Sequence, residues 1–242
     1  MIHSPLTRTG TGRADLHYHP LADESALYDP SAVLAHLAEI DLDVVAITEH
    51  DRVDLAADLI ARARKIGLRT ELISGCEVTT AAGHVLALFV DRAPTPGRSV
   101  LETVVEIHAA GGLAIAAHPL LPTCVSFGDL RASLGSPNPV ERFDALEVAN
   151  PVAAAAPLQG PLSERIARHY GVASVGGSDG HGGKPGGALT HFAGSSAAEL
   201  RDAIVNAATS FSNQRCSRLS LALSAPRYLW RAIRRTTAAR ST

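Results

Sequence analysis

The chain has 242 residues, 46% of them hydrophobic, and a formal net charge of −2. That length and apolar share suit one sizeable α/β core, and a near-neutral balance selects no polyanionic partner by charge alone. Three scattered cysteines (Cys76, Cys124, Cys216) give neither a disulfide framework nor a paired-thiolate zinc site. "MIHSPLTRTGTGR" has no signal-type apolar core, and no apolar run approaches the roughly 18 residues of a membrane-spanning helix, so a cytoplasmic setting is expected.

In chain order, "ADLHY" reads as a first strand, with His17 and His19 two apart and so on one face. Asp29 and Pro30, as N-cap and first-turn proline, open a helix to about Ile40. "DVVAIT" is a second strand leading into "TEHD" and His50. "VDLAADLIARARKIG" has helical i, i+3, i+4 apolar spacing and stops at Gly67. "TELIS" runs into "GCE" with Glu77, and "HVLALFV" opens on His84. A helix, "SVLETVVEIHAAGG", starts at a Ser99 cap; "LAIAAH" then ends in His118. "DALEVA" ends the sixth strand, with Glu147 and Asn150 in "EVAN". The helix "LSERIARHYG" precedes "VASVGG", after which "GSDGH" carries Asp179 and His181; "SAAELRDAIVNAA" is the last helix of the domain. Leu120–Ser136, Asn150–Ser163 and the Gly-rich "GSDGHGGKPGGA" read as loops.

The strands are rich in Val, Ile, Leu and Ala, with little polar alternation, as buried parallel-type strands are. Seven such strands with mostly helical connections predict a barrel-like α/β fold over residues 1–212. Residues 213–242 form a distinct basic tail, with seven arginines from Arg215 to Arg240 and no acidic residue. Its segment "APRYLWRAIRR" predicts a short helix, either docked on the domain or contacting a subunit, RNA or acidic lipid.

Histidine is the unusual residue: 11 of them, beside one Met and one Trp. Most of the potential ligands fall at C-terminal strand ends, the edge where parallel barrels build their chemistry. His17, His19, His50, Glu77, His84, His118, Asp179 and His181 form a candidate metal set. Imidazole with carboxylate suits Zn, Fe or Mn. The set is too large for one ion, so two or three are implied, and a carboxylate such as Glu77 can bridge a pair. His36, His108 and His169 fall in helical patterns and read as structural or surface residues; Cys76 reads as packing.

The succession "DLHYH", "ITEHD", "GCEVTT", "GH", "AHP", "EVAN", "GSDGH" resembles the polymerase and histidinol phosphatase (PHP) superfamily, over roughly Arg13 to Phe192. The resemblance implies a distorted (β/α)7 barrel with a trinuclear metal site. By that resemblance, His17, His19, Glu77 and Asp179 hold a first ion, Glu77 bridges to a second held also by His84 and His118, and His50 and His181 serve a third. The third ion's further ligand points to Glu24, with Asp23 one residue out of register. Glu49 is a departure, because the family's corresponding position usually holds Asp.

The expected function is metal-dependent hydrolysis of a small phosphomonoester or nucleotide phosphate by a metal-bridging hydroxide, with Asp179 or His181 moving protons. Arg52 and Lys184 are candidate anion binders, against a default of solvated surface charge, and Asn150 is a candidate for orienting substrate or ligands, against a turn role before Pro151. Nucleic acid is compatible with the site but not required by it, and 4% aromatic residues offer few stacking platforms for a long single strand. Two alternatives stand beside this reading: an ester or carbamate hydrolase on the same ions, and a metal-stabilised binding or regulatory module.

Overall fold

A computed structural model describes residues 11–21, 27–121, 124–151, 156, 158–183 and 185–213. The expected positions Glu24 and Lys184, and the basic tail beyond 213, lie outside the described residues. No helix among those described is long and apolar enough to cross a membrane.

All seven expected strands form: β1 (Thr11–His19), β2 (Val44–Ile47), β3 (Glu71–Thr80), β4 (Gly83–Leu88), β5 (Leu113–Ala116), β6 (Ala145–Ala149) and β7 (Ala173–Gly176). Three more join them: β8 (Gly180–His181), β9 (Ala188–Ala193) and β10 (Ser210–Asn213). The sheet order is β10-β9-β1-β2-β3-β4-β5-β6-β7, with β8 on β1. The ladders β1–β2, β2–β3, β5–β6 and β6–β7 are parallel, as the apolar runs suggest.

β4 is different: it runs antiparallel to both β3 and β5. Only Ala81 and Ala82 separate Thr80 from Gly83, and two residues allow a hairpin but no crossover. The reversal has a consequence for the site. His84 opens β4, yet β4 points the other way, so His84 reaches the rim where the parallel strands end.

The sheet curls into a nearly closed barrel. Thr190 on β9 bonds both the N–H and the carbonyl of Gly176 on β7, each at 2.9 Å. Thr209 donates to the Ser174 carbonyl at 2.8 Å. Ala14, Leu16, Val44, Ala46, Leu86, Ile115 and Val175 fill the interior. The helix α6 (Ala197–Val205) brings Ala197, Leu200, Ala203 and Ile204 into the same cluster. It follows β9, which runs antiparallel to β1, so it closes the end opposite the rim. Each fully buried Leu or Ile there contributes roughly 1.5–3 kcal/mol.

Outside the sheet, α1 (Pro30–Ala38) and α2 (Asp54–Ile66) cover Val45 and Ile47, and α3 (Val100–Ala109) and α5 (Gln159–Tyr170) cover β4 to β6. Asp29 caps α1 and Ser99 caps α3, as expected, and Glu102 completes a capping box with Ser99. The stretch read as a loop at Leu120–Ser136 contains a further helix, α4 (Phe127–Leu134). Its Ser126–Asp129 capping box is visible in the sequence, but eight residues leave too little periodicity to separate it from a loop.

Candidate metal centre

A bulge in β1 aims the first two histidines. Asp15 pairs with Val45 and Tyr18 with Ile47, so β1 spends one more residue than β2 over this interval. Simple alternation would put His17 and His19 on the face opposite Ala14 and Leu16. The extra residue resets the phase. Leu16 remains in the interior, Tyr18 turns out against Val45 and Ile47, and His17 and His19 both turn in, fully buried.

The other side chains arrive from neighbouring strand ends. His50 follows β2 and bridges to Glu77 of β3. His118 follows β5. Asp179 follows β7, held by its N–H donating to the His17 carbonyl at 2.7 Å, and His181 pairs with His19 through β8. Asp51, His118, Leu120 and Asp179 all have positive φ, backbone strain of the kind that accumulates at functional sites.

Glu77 is the hub. Its Oε1 lies 2.8 Å from His84 Nδ1 and 3.2 Å from His118 Nε2. Its Oε2 lies 3.2 Å from His50 Nδ1, 3.4 Å from His19 Nε2 and 3.5 Å from His17 Nε2. Asp179 Oδ1 is 3.4 Å from His181 Nε2, 3.5 Å from His19 Nε2 and 3.6 Å from His17 Nε2. The two Nε2 atoms of His17 and His19 are 3.1 Å apart.

These separations fit a cation. Tetrahedral donors at about 2.0–2.1 Å from an ion stand about 3.3 Å from one another; the His17 and His19 Nε2 atoms lie 3.1 Å apart and each stands 3.4 to 3.6 Å from the Glu77 and Asp179 oxygens. Further convergent sets are His19, His50 and His181; His50, Glu77 and His84; and His17, His118 and Glu147. The expected ligands within the described residues are thus all brought together.

Electrostatics bind the cluster into one unit. Burial opposes ionisation of Glu77, but His84, His17 and His50 outweigh it and hold its carboxyl well below the usual range. Asp179 is likewise lowered, against its burial, chiefly by His17. Burial disfavours the His17 imidazolium, yet Glu147, Asp179 and Glu77 raise its pKa well above the ordinary value.

Glu147, at the end of β6, is absent from the sequence-derived ligand set. It is buried. It lies 3.1 Å from His17 Nδ1, accepts from the His118 N–H at 2.7 Å, and accepts from Asn150 Nδ2 at 3.0 Å. A carboxylate on the far nitrogen of a ligand histidine fixes its tautomer and ring orientation. Gly177 makes room for this contact, since a Cβ there would sit 2.4 Å from His17 Cβ and 2.6 Å from Glu147 Oε1. The signal was available in "EVAN", but one carboxylate closing a buried strand has no spacing partner to mark it. Glu49 stands behind His19 at 3.8 Å from its Nδ1, beyond hydrogen-bond length, and its Oε1 instead accepts from the Leu21 N–H at 2.7 Å.

The expected substrate contacts are placed less simply. Asn150 is buried against Glu147. Arg52 is about half exposed and grips Asp54 with both Nε and Nη2.

The barrel and its histidine-rich rim together define a PHP-fold protein. A two-domain protein from Bacteroides vulgatus, described as containing a predicted PHP-like metal-dependent phosphoesterase, superposes with a TM-score of 0.67 at 20% identity, covering 88% of this chain and 68% of that one. PsfC from Pseudomonas syringae gives 0.65 at 20% identity, over 92% and 98% of the two chains. At these identities the likeness establishes the fold. In sequence, the chain is 31% identical over 127 residues to the uncharacterized protein MJ1587 of Methanocaldococcus jannaschii, covering 48% of this chain and 73% of that protein, and it belongs to the same family. No family model matches.

Proposed function

We propose that this chain is a metal-dependent hydrolase, and more narrowly a phosphoesterase acting on a small phosphomonoester or nucleotide phosphate. One observation carries the reading: the two oxygens of Glu77 are divided between separate imidazole groups, His84 and His118 on one and His17, His19 and His50 on the other. That is the arrangement a bridging carboxylate needs. Divalent ions (two or three, of Zn, Mn or Fe) held by these residues, Asp179, His181 and Glu24 would supply an acidified water at neutral pH and offset charge on phosphoryl oxygens.

The chain's own residues do the rest. Glu77 and Asp179 remain ionised at depth because imidazoles surround them. Glu147 keeps the His17 ring in place from behind. His181 is partly exposed and its Nε2 lies 3.4 Å from Asp179 Oδ1, so the carboxylate would orient the His181 ring while the imidazole passes a proton to a leaving alkoxide. Arg52 would exchange Asp54 for the substrate's anionic group, Asn150 would steady the floor, and Lys184 would serve as a second cationic contact to that group.

The test is a set of assays on the chain loaded separately with Mn²⁺, Zn²⁺ and Fe²⁺. Phosphomonoesters, nucleotides and short oligonucleotides form one panel, and carboxyl esters and carbamates the other. Metal-dependent turnover of the phosphate panel is expected. Turnover confined to the carbonyl panel would replace the phosphoesterase reading with an ester or carbamate hydrolase. Stoichiometric metal without turnover on either would leave a binding module.

A further inference from the structure

Cys124 Sγ lies 3.1 Å from His118 Nδ1, and the chemistry above makes no use of it. The other nitrogen, Nε2, faces Glu77 Oε1 at 3.2 Å, and the backbone N–H donates to Glu147 at 2.7 Å. A neutral imidazole that turns Nε2 to a cation carries its proton on Nδ1. Metal-binding histidines hand that proton to a carboxylate, a carbonyl or water; here the atom in reach is a sulfur. Sγ belongs to none of the groups of converging donor atoms among the described residues, so its place is behind the ring and not on the ion.

The fold goes to some length to put that sulfur there. Gly83 has φ +110°, and a Cβ on it would lie 2.4 Å from Val125 N and 2.5 Å from Cys124 C. Glycine alone lets the Cys124–Val125 backbone press against the start of β4, beside His84. The loop is closed on itself by Leu120 N–H to the Val125 carbonyl at 2.9 Å and Cys124 N–H to the Leu121 carbonyl at 3.1 Å. The residue before His84 and the ring of His118 therefore bear on one short segment, and both histidines meet the same Glu77 oxygen.

We propose that Cys124 is a positioning residue whose sulfur accepts the Nδ1 proton of His118 and holds Nε2 toward the Glu77 oxygen shared with His84. The proposal rests on the metal reading given above.

The test compares the full chain with Cys124→Ala, which removes the acceptor, and Cys124→Ser, which keeps one, using Glu77→Ala as the control for the centre itself. Zn²⁺ affinity is read by competition with a chromophoric chelator, and the Co²⁺-loaded forms by their absorption spectra. Metal-free thermal unfolding of each variant checks that it folds as the parent does. Cys124→Ala is expected to bind Zn²⁺ about 10-fold more weakly, the scale of losing an outer hydrogen-bond partner. Cys124→Ser should recover most of that loss, and the cobalt spectrum of the parent should contain no thiolate-to-metal charge-transfer band. Undiminished affinity in Cys124→Ala, or a charge-transfer band in the parent that Cys124→Ser abolishes, overturns the proposal. A parent chain that binds no more Zn²⁺ than Glu77→Ala overturns the metal reading beneath it as well.

Discussion

The barrel carries histidine–carboxylate contacts at both ends, and the two kinds are built differently. At the end away from the rim, His108 closes α3 and is satisfied on both sides. Its Nδ1–H donates to the Val140 carbonyl at 2.8 Å and its Nε2–H to Asp144 at 2.9 Å. Asp144 in turn accepts the Ala114 N–H at 2.7 Å. One ring meets two acceptors, at ordinary hydrogen-bond lengths, and nothing is left over. At the rim, His17, His19, His50, His84, His118 and His181 crowd two carboxylates, most contacts run from 3.1 to 3.6 Å, and imidazole faces imidazole, as in the His19–His181 stack at 4.2 Å. A closed pair is a fastening. An open constellation, with more donors than hydrogen bonds can use, is built around something else.

The sharpest way to break this comparison is at its hub. Glu77→Gln keeps the volume and removes the charge shared by five histidines. Metal content and hydrolytic turnover should both fall by more than the roughly 100-fold that loss of an outer carboxylate costs. Elemental analysis of the purified variant, beside its assay, reads both. Full metal occupancy in Glu77→Gln would sink the claim that the rim is organised by a shared carboxylate.

The opposite end should answer in stability and not in metal. Leu200 of α6 is fully buried in the barrel's interior cluster, and Leu200→Ala should cost about 2–5 kcal/mol in urea unfolding. Metal per folded molecule should stay unchanged. A variant that unfolds normally yet loses metal would mean that the two ends are coupled more tightly than their separate construction implies.

These two ends were not equally legible in the sequence. The candidate ligands were readable because they recur in order at the ends of apolar runs. The direction of β4 was not, since an apolar run looks alike whichever way it points; only the two-residue gap after Thr80 hinted at a hairpin. The β1 bulge was hidden for a deeper reason. His17 and His19 lie on one face with or without it, and periodicity cannot say which face is inside. Glu147 escaped because its partners, His17 and His118, are 130 and 29 residues away, and long-range pairs leave no local pattern.

Glu147 therefore offers a sharper cut within the rim. Glu147→Gln retains an acceptor for His17 and presents the His118 N–H with a weaker one, so Zn²⁺ affinity should drop by about 10–100-fold while the ligands themselves stay in place. Chelator competition measures it. An affinity equal to the parent's would demote Glu147 from orienting the ligands to ordinary packing.

The smallest effect belongs to the closed pair, and it carries a pH signature. The hydrogen bond to Asp144 raises the His108 pKa, against the opposing effect of burial. A group whose folded pKa lies above its unfolded value binds its proton more tightly when folded. Its contribution is fully present below the unfolded value of about 6.5 and fades as pH rises through the folded one. His108→Asn should therefore destabilise the chain more at pH 5.5 than at pH 9. Paired urea titrations of parent and variant at the two pH values isolate the term, since titrations elsewhere cancel between them. The sign decides the matter: a larger penalty at pH 9 would mean that His108 is held neutral, and the contrast between a closed imidazolium pair at one end and an open imidazole cluster at the other would fail.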